Sequence, residues 1–86
     1  MQAQFVNKTT FTSPVYSLDA APYSELAIQV NGKGPVKVEC EGMDGVWRSW
    51  PETLFEDDTA QVLLLPKGKF RVVFTAAAAT TVSIQW

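Results

Sequence analysis

The sequence predicts an all-β fold: an antiparallel β-sandwich, Ig-like or jelly-roll-like, of roughly seven to eight short strands. Three observations predict it. Apolar and polar residues alternate with a period of two in Leu26, Ile28 and Val30, in Val36, Val38 and Cys40, in Phe70, Val72 and Phe74, and in Val82, Ile84 and Trp86. Successive side chains of a strand point to opposite faces, so each stretch has one face to bury. Turn signals recur at spacings of about 8–12 residues, as in small sandwiches and barrels. No stretch carries a convincing helical period.

The elements follow in order. Residues 3–8 read as a short strand or an arm, with Phe5, Val6 and Phe11 as the apolar anchors of the first dozen residues. Ser13-Pro14 introduces an edge strand over residues 15–18, because Pro14 has no N–H to give to a ladder. Residues 19–22 are a turn, and residues 24–31 a central strand. Asn31-Gly32-Lys33-Gly34-Pro35 supplies the positive φ angles of a tight hairpin. Gly42-Met43-Asp44-Gly45 marks a second hairpin, joining residues 36–41 to residues 46–50. Residues 53–55 are a short strand or turn, and Glu56-Asp57-Asp58 an exposed loop. Residues 61–65 form an apolar strand, which Pro66-Lys67-Gly68-Lys69 turns into residues 70–75. The run from Ala76 to Ala79 is a loop, since four alanines do not overcome helix nucleation. A last strand covers residues 81–86.

Eighty-six residues make one domain, residues 1–86, within which residues 1–12 are either an N-terminal arm or a first strand. The predicted core is Leu26, Ile28, Val30, Val36, Val38, Cys40, Leu63, Phe70, Val72, Phe74, Val82 and Ile84. A domain of this size buries only about 60–65% of its unfolded surface. Disulfides, metals or self-association commonly supplement so thin a core. Cys40 is the single cysteine and the chain has no histidine, so self-association is the device left, and a homo-oligomer is expected.

Composition narrows function by class. The net charge is −2 and the seven basic residues are scattered, so the stripe that displaces counterions from nucleic acid is missing. Lys67, Lys69 and Arg71 cluster, but around a glycine, as at a solvated hairpin tip. No apolar run approaches a bilayer span, and the start lacks a signal-peptide pattern, so synthesis in a cytoplasm is expected without nucleic-acid or membrane partners.

Without histidine, the usual general base near neutral pH is missing. Cys40 lies on the apolar face beside Val38, where a thiol behaves as a small hydrophobe, and it should be unreactive. Glu39 and Glu41 stand about 7 Å apart on the outer face. Lys37 shares that row, so a solvated mixed-charge face is expected rather than an acid–base pair. Glu52, Glu56, Asp57 and Asp58 are too compact a run for calcium. These readings predict no enzyme, no cofactor and no metal site.

The aromatic residues remain. Trp47 and Trp50 are three apart, so in an ideal strand they point to opposite faces, one into the core and one outward. The outward indole is a lid on the core edge or an anchor for a partner. Trp86 closes the sequence and should dock into its own core or a neighbouring subunit. Trp47, Trp50 and Trp86 are therefore interface candidates.

Ser13-Pro14-Val15 opens a strand that precedes the alternating residues 26–30 and a glycine-containing hairpin. Asp44-Gly45-Val46-Trp47, Pro66-Lys67-Gly68-Lys69-Phe70-Arg71-Val72, the alanine run and residues 82–86 follow. This order resembles the small all-β virion proteins of tailed bacteriophages, which decorate capsids or sit on tails and fibres. The resemblance covers residues 11–86 and departs from the pattern around residues 50–58. It implies a virion location, no catalytic residues, multiple copies (commonly trimers on capsids) and capsid or tail proteins as partners, with Phe5, Val6 and Phe11, on an N-terminal arm, as further interface candidates that reach an adjacent subunit or the shell. On that implication the leading expectation is capsid decoration. One alternative is a carbohydrate- or receptor-binding module of a tail or fibre, using Trp47 or Trp50 with Tyr16 and Tyr23. Another is an inhibitor of a host protein.

Overall fold

A computed structural model of the chain describes residues 1–50 and 55–86, with the backbone alone for Ala20 and Ala21. The described residues form β1 (Gln2–Thr12), β2 (Tyr16–Asn31), β3 (Val36–Glu41), β4 (Trp47–Ser49) and β5 (Thr59–Gln85), with no helix among them. The all-β expectation is met. The elements are longer and fewer than the predicted strands, because bends keep several of those strands within one continuous element.

All five strands belong to one sheet, and β5 is its hub. The N-terminal part of β1 pairs antiparallel with the end of β5, from Gln2 opposite Gln85 to Phe5 opposite Val82. After a shift in register around Lys8, Thr10 to Thr12 pair instead with Thr75 to Val73. Asn7 takes a φ of +53° at this shift. β2 behaves similarly. Its first residues lie opposite residues 68–70, whereas Leu26 to Val30 sit between Leu63 to Thr59 on one side and residues 82–85 on the other. In each of these runs partner numbers fall as β2 numbers rise, so the pairing is antiparallel. β3 pairs with Phe70 to Phe74 of β5 and, on its other side, with β4.

The core follows from the alternation. All twelve residues predicted for it are buried, joined by Phe5, Leu18, Phe55 and Leu65. Phe5, Phe11 and Phe74 meet as an aromatic cluster with centroids 5.4–6.2 Å apart. Phe5 belongs to the part of β1 beside Val82, and Phe74 to the part of β5 beside β3. The sheet therefore folds over on itself around one interior. Residues 1–12, left between arm and strand by the sequence, are here tied into β1.

Three punctuation signals act differently from expectation. Asn31 to Pro35 does not close a hairpin: Val30 pairs with Thr59 and Val82, whereas Val36 pairs with Phe74, so the loop crosses to another part of the sheet. The crossing is held by the Gly32 N–H on Asp58 Oδ1 at 2.6 Å and the Gly34 N–H on the Glu56 carbonyl at 2.7 Å. Pro66 to Lys69 bends β5 without reversing it. Pro66 and Gly68 both remain opposite β2, at Tyr23 and Leu18, and Gly68 takes a φ of +140°. Residues 19–22, expected as a turn, are the excess residues of β2 facing that bend, as in a bulge. The alanine run is extended within β5, its Ala77 N–H bonded to the Gly34 carbonyl at 3.0 Å.

The Gly42–Gly45 hairpin forms where expected. Gly45 has a φ of +78° and donates to the Gly42 carbonyl at 2.9 Å. Of the short strand or turn expected at residues 53–55, only Phe55 is described, bridged to Val36. Residues 53 and 54, and Glu52 of the acidic run, lie outside the described residues.

Candidate functional site

Every glutamine of the chain lines one concavity. Gln2, Gln4, Gln29, Gln61 and Gln85 surround a hollow of about 770 Å³ on the outward face of the sheet, together with Ser83. The register places them. Val62, Ala27, Gln85 and Gln2 are successive partners across four neighbouring runs, and Ala60, Gln29, Ser83 and Gln4 form the next row. Ile28 and Ile84 alternate between these rows and point inward, 2% exposed, so the core residues fix the direction of the amides. Gln61 lies opposite buried Ile28 but is itself exposed, on the outermost run.

None of the residues lining this hollow is charged. Each primary amide offers two donors and one carbonyl acceptor, and none titrates near neutral pH. Gln4 Nε2 donates to Ser83 Oγ at 3.2 Å. Ala27, Ala60 and Val62 supply apolar floor between the amides. Such a surface hydrogen-bonds neutral polar groups (peptide amides or sugar hydroxyls) without stripping water from an ion.

The face formed by β3 and its neighbours has the opposite character. Arg71 Nε donates to Glu39 Oε1 at 2.8 Å and Lys37 Nζ lies 3.3 Å from Glu39 Oε2, so both oxygens of Glu39 are engaged. Burial works to raise the Glu39 pKa, but the hydrogen bonds from Arg71 and Lys37 outweigh it and hold the carboxyl below its ordinary value. Within the expected mixed-charge row Lys37 and Glu39 are thus ion-paired, while Glu41 is exposed. Cys40 is buried, and desolvation pushes its thiol up to about 11. Among the described residues no group of histidine, cysteine, aspartate and glutamate is arranged to hold a metal ion.

The five aromatic interface candidates do not come together. Phe5 is buried, and Phe11 is half-buried against the same core. Trp86 packs on Tyr16 at 4.7 Å and on Phe70 at 5.4 Å, with its backbone bonded to Met1. Trp47 lies under the Arg71 guanidinium, 4.3 Å from the ring centroid. Trp50 alone of the five is exposed, and its Nε1 donates to the Leu64 carbonyl at 3.0 Å. The expectation that Trp47 or Trp50 fills the core does not hold. β4 ends at Ser49, so the strand parity used to separate the two indoles does not extend to Trp50. Of the aromatic residues offered for a sugar platform, Tyr16 is packed beneath Trp86 and Trp47 beneath Arg71, whereas Trp50 and Tyr23 are exposed.

Sequence reasoning missed the amide face. The signal was present: the outward positions of β1, β2 and the end of β5 carry glutamine, alanine and serine, where β3 carries lysine and glutamate. Uniting them requires the pairing of runs far apart in sequence. No protein family, curated protein or solved structure matches this chain.

Proposed function

We propose that this chain is a non-enzymatic structural protein of a phage particle, made in the host cytoplasm, that decorates or cements a protein shell through its amide-lined face. The observation that carries this reading is the gathering of Gln2, Gln4, Gln29 and Gln85 on one concave, uncharged surface, with Gln61 at its rim. Neutral amides bind the polar groups of another protein at low desolvation cost, and the hollow offers shape as well as chemistry. The phage context rests on the resemblance in the order of turns and strands over residues 11–86. The fold that goes with it is a β-sandwich, with residues 59–66, 23–31, 81–85 and 2–8 in one sheet. Residues 10–18, 68–75, 36–41 and 47–49 form the other. The contact of Phe5 with Phe74 at 6.2 Å across the interior supports that assignment.

Density-gradient fractionation of a culture producing assembled particles tests the reading. The chain should travel with intact heads in a fixed ratio to the major shell protein. Recovery solely in the soluble fraction, with heads complete without it, contradicts the proposal.

A second reading uses the same face to bind neutral glycans, as in a tail or fibre module. It is favoured by the amides and Ser83 with alanine between them, a pattern suited to sugar hydroxyls. Saturable glycan binding that Gln29→Ala abolishes would support it over shell decoration.

A further inference from the structure

One margin of the amide face is an open strand edge. Residues 59–65 pair with β2 on one side, and no described strand pairs with them on the other. The run contains no charge, lysine or proline, the usual guards of a sheet edge. Its outward side chains Val62 and Leu64 are 63% and 61% exposed. Exposed Tyr23 lies opposite Pro66, and exposed Trp50 lends its indole N–H to the Leu64 carbonyl. The Leu64 carbonyl thus points away from β2, where the Trp50 indole now occupies it, and the backbone groups of Ala60 and Val62 point the same way by strand alternation.

We propose that this edge pairs with the same edge of a second copy, antiparallel and about a two-fold axis at Val62. Self-pairing is what an isologous interface requires, because the residue on the axis meets itself. In this register Val62 faces Val62 of the second copy, and Ala60 faces Leu64, so the exposed apolar side chains cover one another. Charge selects the same arrangement. Asp57, in the bend just before the run and paired within its own chain to Lys33 at 2.7 Å, comes on the side of Lys67, just after the run, so the second copy adds a lysine to an existing ion pair, and the contact occurs twice by symmetry. A register centred on Gln61 instead places Asp57 opposite Leu65, and one centred on Leu63 places Pro66, with no N–H to give, opposite Ala60. The Leu64 carbonyl then accepts from the Ala60 N–H of the second copy in place of the Trp50 indole.

The opposite margin, β1, is a poorer edge, since its register shifts around Asn7 and Lys8. Pairing at Val62 also joins the two amide faces, because Val62 and Ala60 end the rows that contain Gln85, Gln2, Gln29 and Gln4. The pairing stands on the edge alone; only what the widened face binds rests on the proposed function.

Solution mass and cross-linking test it. The native chain should sediment as a dimer at tens of micromolar. Val62→Cys should form a disulfide-linked dimer on mild oxidation, since directly paired residues lie about 5.5 Å apart at Cα. Val6→Cys, on the rival edge, should not, and buried Cys40 stays silent in both. Asp57→Lys or Lys67→Asp alone should weaken dimerisation roughly tenfold, and the two together should restore it. A native chain that stays monomeric overturns the proposal. So does a Val62→Cys chain that links no faster than Val6→Cys, or a double reversal that fails to restore the dimer. Particle binding can fail while the dimer persists, and the reverse, so the two proposals are judged separately.

Discussion

A methyl group on Gly34 would stand 1.9 Å from the Phe55 carbonyl oxygen and 2.7 Å from the Glu56 Cα. Both contacts are backbone, so neither yields by a rotamer change. Gly34→Ala should therefore cost about 3 kcal/mol or more, lowering the melting temperature by roughly 12 °C or more. A thermal melt within a few degrees of the parent would show that the crossover loop is placed wrongly. Thr80 works beside it: fully buried, it accepts the Lys33 N–H at 3.1 Å and reaches the Lys33 and Ala78 carbonyls. Cys40 gives a second residue-level prediction. Burial and a thiol pKa of about 11 leave almost no thiolate near neutral pH. A thiol reagent should label the native chain only as fast as it unfolds, and rapid labelling would break the inward register of β3.

At the scale of elements, the β3–β4 hairpin carries a pH dependence. Arg48 binds both carboxylate oxygens of Asp44, at 2.7 and 3.1 Å, and the Val46 N–H adds a third bond at 3.1 Å. The Arg48 bond, seconded by Val46, pulls the Asp44 pKa from 3.8 down to about 2. A carboxyl with a depressed folded pKa contributes stability that is full above its unfolded value and is lost as the pH falls through the folded one. Amide protection in the hairpin, relative to the intrinsic exchange rate at each pH, should therefore fall between about pH 4 and pH 2, and Asp44→Asn should remove that part of the profile. An unchanged profile in Asp44→Asn would place the titration elsewhere.

This hairpin was legible in the sequence because its two strands are adjacent in the chain and its turn residues act locally. The residues 31–35 and 66–69 carry equally strong glycine and proline signals, yet one crosses the sheet and the other bends a strand. A positive φ marks a change of direction and leaves the next partner open. The alternating core was legible for the complementary reason: it needs only a period of two. Phe5, Leu18, Phe55 and Leu65 escaped because they sit in short or uniformly apolar stretches, or beside a bend, where period two has too few repeats to count.

Across the whole molecule, the division between two surfaces emerges from pairing that no local pattern reveals. Gln2 and Gln85 are neighbours because β1 pairs with the end of β5, and Ala27 joins them because β2 pairs with it too. On the opposite surface Glu39 is paired with Arg71 and Lys37, and Arg71 covers Trp47. The amide face keeps an uncharged hollow, and it is the surface proposed above to meet a protein partner. The most direct measurement compares how much native and Gln29→Lys protein co-sediments with assembled phage heads, both variants giving the same strand-rich circular dichroism. The account predicts that a lysine at the centre of the amide rows empties the particle-bound fraction. Undiminished binding by Gln29→Lys would contradict it.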